Sequence, residues 1–185
     1  KNFDVFINAN GNSKKFWDNQ NPEEDYKLSV QSVKNSLQDF KFKKYIFISS
    51  SDVYPNHQSP ESSSEEEVID QAKLEPYGLH KLQAEELVKK LPDYLILRMS
   101  AMVGPNLKKG VVKDILIGSD LFVTQDSYLQ FITTEEVGKV IKFLATTEKK
   151  NQIFNCGGKG SVTVKDMFKN FEDRGNQFKA RVREL

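Results

Sequence analysis

The chain has 185 residues, which is enough for one domain with a sizeable core. Its 27 basic and 26 acidic side chains leave a formal net charge of +1, so charge gives no argument for nucleic acid or a membrane surface as a partner. No apolar run approaches the roughly 20 residues that a membrane-spanning helix needs. The single cysteine, Cys156, allows no internal disulfide, which suits a reducing compartment and predicts a cytoplasmic protein.

The first part of the chain reads as two buried strands separated by a helix. Residues 3–7 and 45–48 are short apolar runs, and such runs predict buried parallel strands. The first run ends in a small polar turn and the second ends in serines. Asn21, Pro22 and the glutamates after them predict a helix start with Asn21 as the cap, and residues 12–21 predict a loop.

The second part alternates again between strands and helices. Residues 56–73 are rich in Ser, Glu and Asp and predict a solvated loop. Pro76 predicts the first turn of an amphipathic helix on which His80 is expected to be exposed. Further strands are predicted at 94–98, 121–123, 128–132 and 153–156. A helix capped by Thr133 or Thr134 follows the third of these four strands, and residues 172–185 predict a charged helix.

Three side chains near the second strand suit proton transfer. Ser50 lies at the end of the apolar strand, while Tyr77 and Lys81 lie four positions apart at the start of a helix and therefore share a face. A nearby cation favours the phenolate, so Lys81 is predicted to lower the pKa of Tyr77. A serine that hydrogen-bonds the substrate oxygen would complete a proton-transfer site.

These residues resemble the active-site region of the extended short-chain dehydrogenase/reductase family, the NAD-dependent epimerase/dehydratases. In that family a strand ends in Ser-Ser-(Ser/Thr)-x-x-Val-Tyr, and Tyr-x-x-x-Lys follows downstream. Here Ser50 stands four positions before Tyr54, and Leu97-Arg98 and Gly104-Pro105 extend the likeness. Arg98 is expected to form a structural ion pair. The resemblance implies an α/β fold: the C-terminal portion of a Rossmann-like, doubly wound parallel sheet, with a small substrate-side lobe at about 100–135.

The resemblance also implies roles for individual residues. Ser50, Tyr77 and Lys81 would be catalytic, and no metal site is predicted. The cofactor would be NAD or NADP, the substrate a small molecule with a hydroxyl or carbonyl group, such as a nucleotide sugar, and a homodimer is left open. The residues expected near the cofactor are Asn8, Ala9, Asn10, Tyr77, Lys81 and Met99. Those expected near the substrate are Ser51, Asp52 and Ala101.

The sequence departs from the family pattern in two ways. The family opens with a Gly-x-x-Gly-x-x-Gly turn that lets the backbone approach a pyrophosphate, and no such motif occurs here. Residues 1–185 are therefore expected to be a single domain whose N-terminal strands are missing. In the loop after the third strand, Met99, Ala101 and Val103 replace the family's Pro, Asn and Tyr.

Two interpretations of function follow from the motif and from these departures. The first is an NAD(P)-dependent oxidoreductase, epimerase or dehydratase when complete. The second is a non-catalytic binding or regulatory protein on the same fold, which the missing glycine-rich turn favours. The intact set of Ser50, Tyr77 and Lys81 favours the enzyme.

Overall fold

The computed structural model describes residues 2–11, 14–57 and 59–172. None of the helices in these ranges combines the length and apolar character that crossing a membrane requires. The strands are β1 (Asn2–Asn8), β2 (Lys41–Ser50), β3 (Tyr94–Met99), β4 (Ala101–Val103), β5 (Tyr128–Leu129), β6 (Phe131–Thr133), β7 (Gln152–Cys156) and β8 (Val162–Thr163). The α-helices are α1 (Lys15–Gln20), α2 (Pro22–Tyr26), α3 (Ser32–Asp39), α4 (Pro76–Val88), α5 (Val111–Ile117), α6 (Thr134–Ala145) and α7 (Val164–Glu172).

The chain divides into two compact units. The first comprises Lys1–Met99 and Gly138–Cys156, and the second comprises Ser100–Val137 and Gly157–Leu185. The substrate-side lobe expected at about 100–135 stays a prediction, as does the expectation that residues 1–185 form one domain. The charged helix predicted for 172–185 lies almost wholly outside the described residues.

A parallel sheet forms the centre of the first unit. Its order is β1-β2-β3-β7, and each strand runs parallel to its neighbours, which confirms the predicted α/β fold. Because the strands are parallel, their carboxyl ends meet at one edge. There Ser50 pairs with Met99, and Met99 pairs with Cys156. In open α/β sheets this edge is where ligands bind.

Helices α3 and α4 cover one face of this sheet. Val33 on α3 and Val88 on α4 are fully buried against Tyr45, Phe47 and Ile96 of the two central strands. Burying a large apolar side chain stabilises a fold by about 1.5–3 kcal/mol. The packing therefore fixes the axis of α4, which carries two of the three candidate catalytic residues.

The second unit has smaller sheets and its own core. Strand β4 pairs with β6 in parallel, and β5 pairs with β8 in antiparallel fashion. The strand predicted at 128–132 is divided at Gln130, because β5 and β6 have different partners. The strand predicted at 121–123 is wrong. Only Leu121 makes a bridge, and it is buried in the core with Ile115, Val164 and Met167.

Two predictions of helix starts differ in outcome. Residues 15–20 form α1, so the loop predicted at 12–21 is wrong there. Asn21 does not cap α2 with its side chain, because its amide donates to the carbonyl of Trp17 at 2.8 Å instead. The capping of α6 is confirmed, since Oγ1 of Thr133 accepts the backbone N–H of Glu136 at 3.1 Å.

A buried ion pair connects α4 to two strands. Glu85 is fully buried and accepts from Nε and Nη2 of Arg98 at 3.1 and 2.8 Å. It also accepts from the hydroxyl of Ser49 at 2.6 Å. The remaining side of the guanidinium donates to the phenol of Tyr54 at 2.7 Å. The predicted structural role of Arg98 is thus confirmed.

The first turn of α4 packs closely on the short 3-10 turn Ser51–Val53 that follows β2. A Cβ added to Gly78 would lie 2.2 Å from the backbone oxygen of Asp52. No real Cβ approaches a backbone atom that closely, so this contact requires glycine. Gly78 therefore allows Tyr77 to reach the end of β2.

We expect Glu85→Ala to lower the free energy of unfolding by about 3–5 kcal/mol, because it leaves the buried guanidinium of Arg98 without a counter-charge. The adjacent Glu86 supplies a matched control on the same helix, since its ion pair with Lys89 is exposed. Glu86→Ala should change the free energy by no more than about 0.5 kcal/mol. Urea unfolding of the full-length protein measures both, and equal losses would contradict the assigned role of Glu85.

We expect Gly78→Ala to lower the free energy of unfolding by about 1–3 kcal/mol, because the added methyl group must push α4 away from Asp52. Gly138 in α6 is the matched control, because nothing lies within 4 Å of the Cβ that alanine would add. Gly138→Ala should stabilise the protein by up to about 1 kcal/mol through helix propensity. Thermal unfolding of both variants tests the contact, and an unaffected Gly78→Ala variant would refute it.

Candidate functional site

Ser50 is the last residue of β2 and is buried at the carboxyl edge of the sheet. Its hydroxyl caps the following 3-10 turn by accepting the backbone N–H of Asp52 at 3.2 Å. The same hydroxyl donates to Oδ2 of Asp52 at 3.0 Å. Asp52 also forms an ion pair with Lys15 on α1. The Ser50 hydroxyl is therefore held in place by the residue two positions further along.

Tyr77 lies in the first turn of α4 and is only 6% exposed. Oδ1 of Asn19 accepts the backbone N–H of Tyr77 at 3.0 Å, which ties the start of α4 to α1. The Ser50 hydroxyl lies close enough to the phenol to lower its pKa by hydrogen bonding. The structure thus brings together two residues that the sequence places on separate elements.

Lys81 is buried one turn further along α4. Its ammonium lies 5.5 Å from the ring centroid of Phe47 and 3.5 Å from the carbonyl oxygen of Ile48, both on β2. It also lies 3.0 Å from the position that a Cβ on Gly11 would occupy. Gly11 has φ +129°, a conformation that favours glycine. The backbone of the turn after β1 therefore passes close to the ammonium, and a side chain at this position would be crowded against it.

The electrostatic surroundings of Tyr77 differ from the prediction. Burial is the largest effect and raises the pKa of the phenol well above its ordinary value. The negative charge of Asp52 raises the pKa further, the hydrogen bond with Ser50 acts in the opposite direction, and Asp18 and Asp25 add smaller increases. The lowered pKa predicted for Tyr77 is therefore wrong for this structure, and the phenol is protonated at neutral pH.

The turn after β1 adjoins the same edge of the sheet. The side chain of Asn8 is buried and donates to Ser36 at 3.2 Å and to Tyr45 at 2.6 Å, while its Oδ1 accepts the backbone N–H of Asn10 at 2.8 Å. Ala9 and Asn10 are exposed. The buried amide of Asn8 therefore holds the turn in shape and leaves the backbone of the next two residues accessible.

The remaining predicted site residues fall in different places. Met99 is buried at the end of β3, directly beside Ser50. Ser51 and Asp52 open the 3-10 turn and are half-buried. Ala101 lies on β4, which belongs to the second unit. The roles proposed for these four residues in binding cofactor or substrate stay predictions.

His80, inside the Tyr-x-x-x-Lys motif, is not exposed as the sequence predicted. It is 8% exposed, and its Nδ1 lies 2.6 Å from Oδ2 of Asp25, which is fully buried. Its ring packs edge-on against Tyr26 at 5.5 Å between centroids. The prediction was wrong because α2 covers this face of α4, and helical periodicity alone does not reveal that contact.

The acidic loop before α4 is mostly exposed, but one of its glutamates binds the sheet. Oε1 of Glu65 accepts the backbone N–H of Asn155 on β7 at 2.8 Å. Burial raises the pKa of the neighbouring Cys156 thiol to about 11, and the charge of Glu65 adds to this increase. The buried thiol is therefore neutral near pH 7.

Sequence reasoning missed several residues that build this site. Gly11 beside Lys81, Asn19 beneath Tyr77 and Lys15 beside Asp52 come from segments predicted as a turn and a loop. Only Gly11 carried a sequence signal, because a glycine at the end of a strand is a common mark of an unusual backbone conformation. Asn19 and Lys15 depend on α1, which has no apolar periodicity to reveal it.

Comparison with solved structures shows the fold. MoeE5 in complex with UDP-glucuronic acid and NAD matches with a TM-score of 0.86 at 16% identity, covering 98% of this chain and 66% of that chain. The UDP-N-acetylglucosamine 4-epimerase of Methanobrevibacter ruminantium, in complex with UDP-N-acetylmuramic acid, matches with a TM-score of 0.80 at 19% identity, covering 98% and 64%. RMD of Pseudomonas aeruginosa, complexed with NADPH, matches with a TM-score of 0.76 at 20% identity, covering 97% and 69%.

The chain thus spans 66%, 64% and 69% of the length of these three structures, which is slightly less than two thirds for the first two. No curated protein matches its sequence. The model of the NAD dependent epimerase/dehydratase family matches residues 1–157. A match over that much of the sequence, together with the parallel sheet and its neighbours, shows that the chain belongs to the NAD-dependent epimerase/dehydratase family.

Proposed function

We propose that the complete protein is an NAD(P)-dependent epimerase, dehydratase or reductase that acts on a hydroxyl or carbonyl group through Ser50, Tyr77 and Lys81. The observation that supports this most directly is that the Ser50 hydroxyl lies beside the buried Tyr77 phenol and lowers its pKa. Lys81 lies one helical turn from the phenol on the same face of α4. All three groups face the carboxyl edge of a parallel sheet, where ligands bind in this architecture.

The phenol of Tyr77 would act first as a proton donor. Because its pKa is raised, it carries its proton at neutral pH and can give it to a substrate oxygen that gains negative charge. In the reverse direction the phenolate would take the proton back from a substrate hydroxyl. The ammonium of Lys81 would stabilise that phenolate by its charge. The hydroxyl of Ser50 would hydrogen-bond the same substrate oxygen and orient it towards Tyr77.

The residues of this chain fit the nicotinamide end of a dinucleotide. The backbone of Gly11 passes close to the Lys81 ammonium, and the exposed residues Ala9 and Asn10 lie in the same turn. A nicotinamide cofactor bound there would supply or accept the hydride. The family's glycine-rich pyrophosphate turn does not occur among these residues, so we assign only the nicotinamide end of the cofactor to this chain.

We propose nucleotide sugars as the first substrate class to test. The solved structures with matching folds include complexes with UDP-glucuronic acid and with UDP-N-acetylmuramic acid. Met99, Ala101 and Val103 depart from the family's usual loop, so the sugar would be held by contacts that differ from the usual ones. We propose Ser51 and Asp52 as further substrate neighbours, because they lie directly beside Ser50.

A non-catalytic binding protein on the same fold is the second candidate. The specific observation in its favour is that no glycine-rich dinucleotide turn occurs in these 185 residues. Its expected behaviour is ligand binding without turnover. Titration of the full-length protein with NAD(H) and NADP(H), followed by assays with nucleotide sugars, separates the two candidates.

We expect Tyr77→Phe to lower kcat at least about 100-fold, because it removes the group that exchanges a proton with the substrate. Dinucleotide affinity should change little, since phenylalanine keeps the ring. Tyr128→Phe is the matched control, because Tyr128 is 74% exposed on β5, and it should leave kcat unchanged. Steady-state kinetics of the full-length enzyme measure both variants, and turnover that survives Tyr77→Phe would rule out the proton-transfer role.

A further inference from the structure

The feature that the proposed function leaves unexplained is the buried pair of His80 and Asp25. His80 is the residue immediately before Lys81, and Asp25 is fully buried on α2. A carboxylate only accepts hydrogen bonds, so Nδ1 of His80 carries the proton and donates to Oδ2 of Asp25 across 2.6 Å. Charged side chains are rarely buried without a purpose that outweighs their loss of hydration.

The second oxygen of Asp25 connects this pair to Ser29. Oδ1 of Asp25 accepts from the hydroxyl of Ser29 at 2.8 Å, and Ser29 is only 1% exposed. Ser29 lies in a π-helical segment, Lys27–Gln31, between α2 and α3. Such segments are rare and occur frequently at functional sites, because the wider turn redirects the side chains on it.

The side chains of Ser29 and Lys81 approach the same position beside Gly11. Oγ of Ser29 lies 3.6 Å, and Nζ of Lys81 lies 3.0 Å, from the position that a Cβ on Gly11 would occupy. The single hydroxyl proton of Ser29 is given to Asp25, so its lone pairs are left to accept from a donor on the other side. An ammonium has only donors to offer. The ammonium of Lys81 donates to the carbonyl of Ile48 at 3.5 Å, and the Ser29 hydroxyl is the other polar group that approaches this position beside Gly11.

We propose that Asp25 and His80 are positioning residues which act through Ser29 to hold the Lys81 ammonium in place beside Tyr77. His80 fixes one oxygen of the carboxylate, the other oxygen orients the Ser29 hydroxyl, and that hydroxyl accepts from Lys81. The negative charge of Asp25 balances the buried ammonium. This inference rests on the proposed function for its catalytic meaning, but the position of Lys81 is measurable without any turnover.

The electrostatics around Tyr77 agree with this arrangement. Asp25 is one of the carboxylates whose charge raises the pKa of Tyr77, so its field reaches the catalytic phenol. The other carboxylates that raise the pKa of the phenol are Asp52 in the turn after β2 and Asp18 on α1, which is fully buried. Asp25 differs from the other two carboxylates because it accepts from the Ser29 hydroxyl, which approaches the same position beside Gly11 as the Lys81 ammonium.

The simpler alternative is that the hydrogen bond between His80 and Asp25 only holds α2 against α4. Three substitutions distinguish this structural role from the positioning of Lys81. His80→Asn keeps a donor at the place of Nδ1, whereas His80→Leu keeps the volume and removes the donor. Asp25→Asn keeps the shape and removes the charge. Lys44→Met is the control for losing buried hydrogen bonds elsewhere in the protein. Lys44 is buried near the opposite end of β2 and donates to the carbonyls of Thr147 and Lys149.

The experiment measures, by NMR of the full-length protein, how fast the protons of the Lys81 ammonium exchange with water. The Lys81→Arg variant identifies the signal, because it removes it. We expect His80→Leu and Asp25→Asn to speed exchange of the ammonium protons at least about fivefold. His80→Asn and Lys44→Met should leave that rate within about twofold of the original protein. Unchanged exchange in Asp25→Asn, or equal exchange in the Asn and Leu variants of His80, would overturn the proposal.

Additional variants and a kinetic measurement test the proposal if one of the substitutions prevents folding. Where His80→Leu does not fold, Asp25→Asn and Ser29→Ala give the same comparison, because each removes one member of the set with little change in volume. In an active enzyme, Asp25→Asn should lower kcat about tenfold, because a misplaced Lys81 stabilises the phenolate less well. If Tyr77→Phe shows that the proposed chemistry is wrong, the exchange measurement still decides whether Asp25 and His80 hold Lys81.

Discussion

The rotation of helix α4 about its axis depends on one buried carboxylate. Glu85 accepts two hydrogen bonds from Arg98 on β3 and one from Ser49 on β2, so it can occupy only one position against the sheet. Tyr77, Lys81 and Glu85 recur every four residues and therefore lie along one face of the helix. Fixing Glu85 between the two central strands directs Lys81 towards the backbone of β2 and Tyr77 towards Ser50 at its end. The geometry of the candidate active site is thus a consequence of an ion pair two turns away from it.

The site combines a buried phenol with a buried ammonium, and each would be unfavourable alone. Burial and three carboxylates raise the pKa of Tyr77, which keeps the proton on the phenol. A proton donor must also release its proton during the reaction, and the nearby ammonium lowers the cost of the phenolate that results. The surroundings keep the phenol neutral before the reaction, and a fixed cation would stabilise the phenolate that forms during it. Together these two effects suit a group that gives up a proton and takes it back. The lowered pKa predicted from Tyr-x-x-x-Lys considered only the cation.

The sequence allowed the fold and the three catalytic candidates to be predicted, because both depend on local signals. Apolar runs between polar turns indicate parallel strands, and the spacing of Tyr77 and Lys81 places them on one helical face. The errors concern contacts between distant segments. His80 is buried because α2 covers it, and Asn21 bonds back to Trp17 rather than capping its own helix. Leu121 and Val123 are apolar because they pack in a core, not because they form a strand. In each case the side chain's environment is set by a contact with another segment, and neither composition nor periodicity reveals which segment that is.

All three catalytic candidates belong to the first unit. The strand end that carries Ser50, the helix that carries Tyr77 and Lys81, and the ion pair that orients this helix are parts of a single packed sheet-and-helix core. Two of the three loop positions that depart from the family pattern, Ala101 and Val103, lie instead in the second unit. The residues proposed for proton transfer therefore lie in the first unit, whereas two positions that depart from the family pattern lie in the second. One fold can keep its chemistry while its substrate changes when different parts of a chain carry the two tasks.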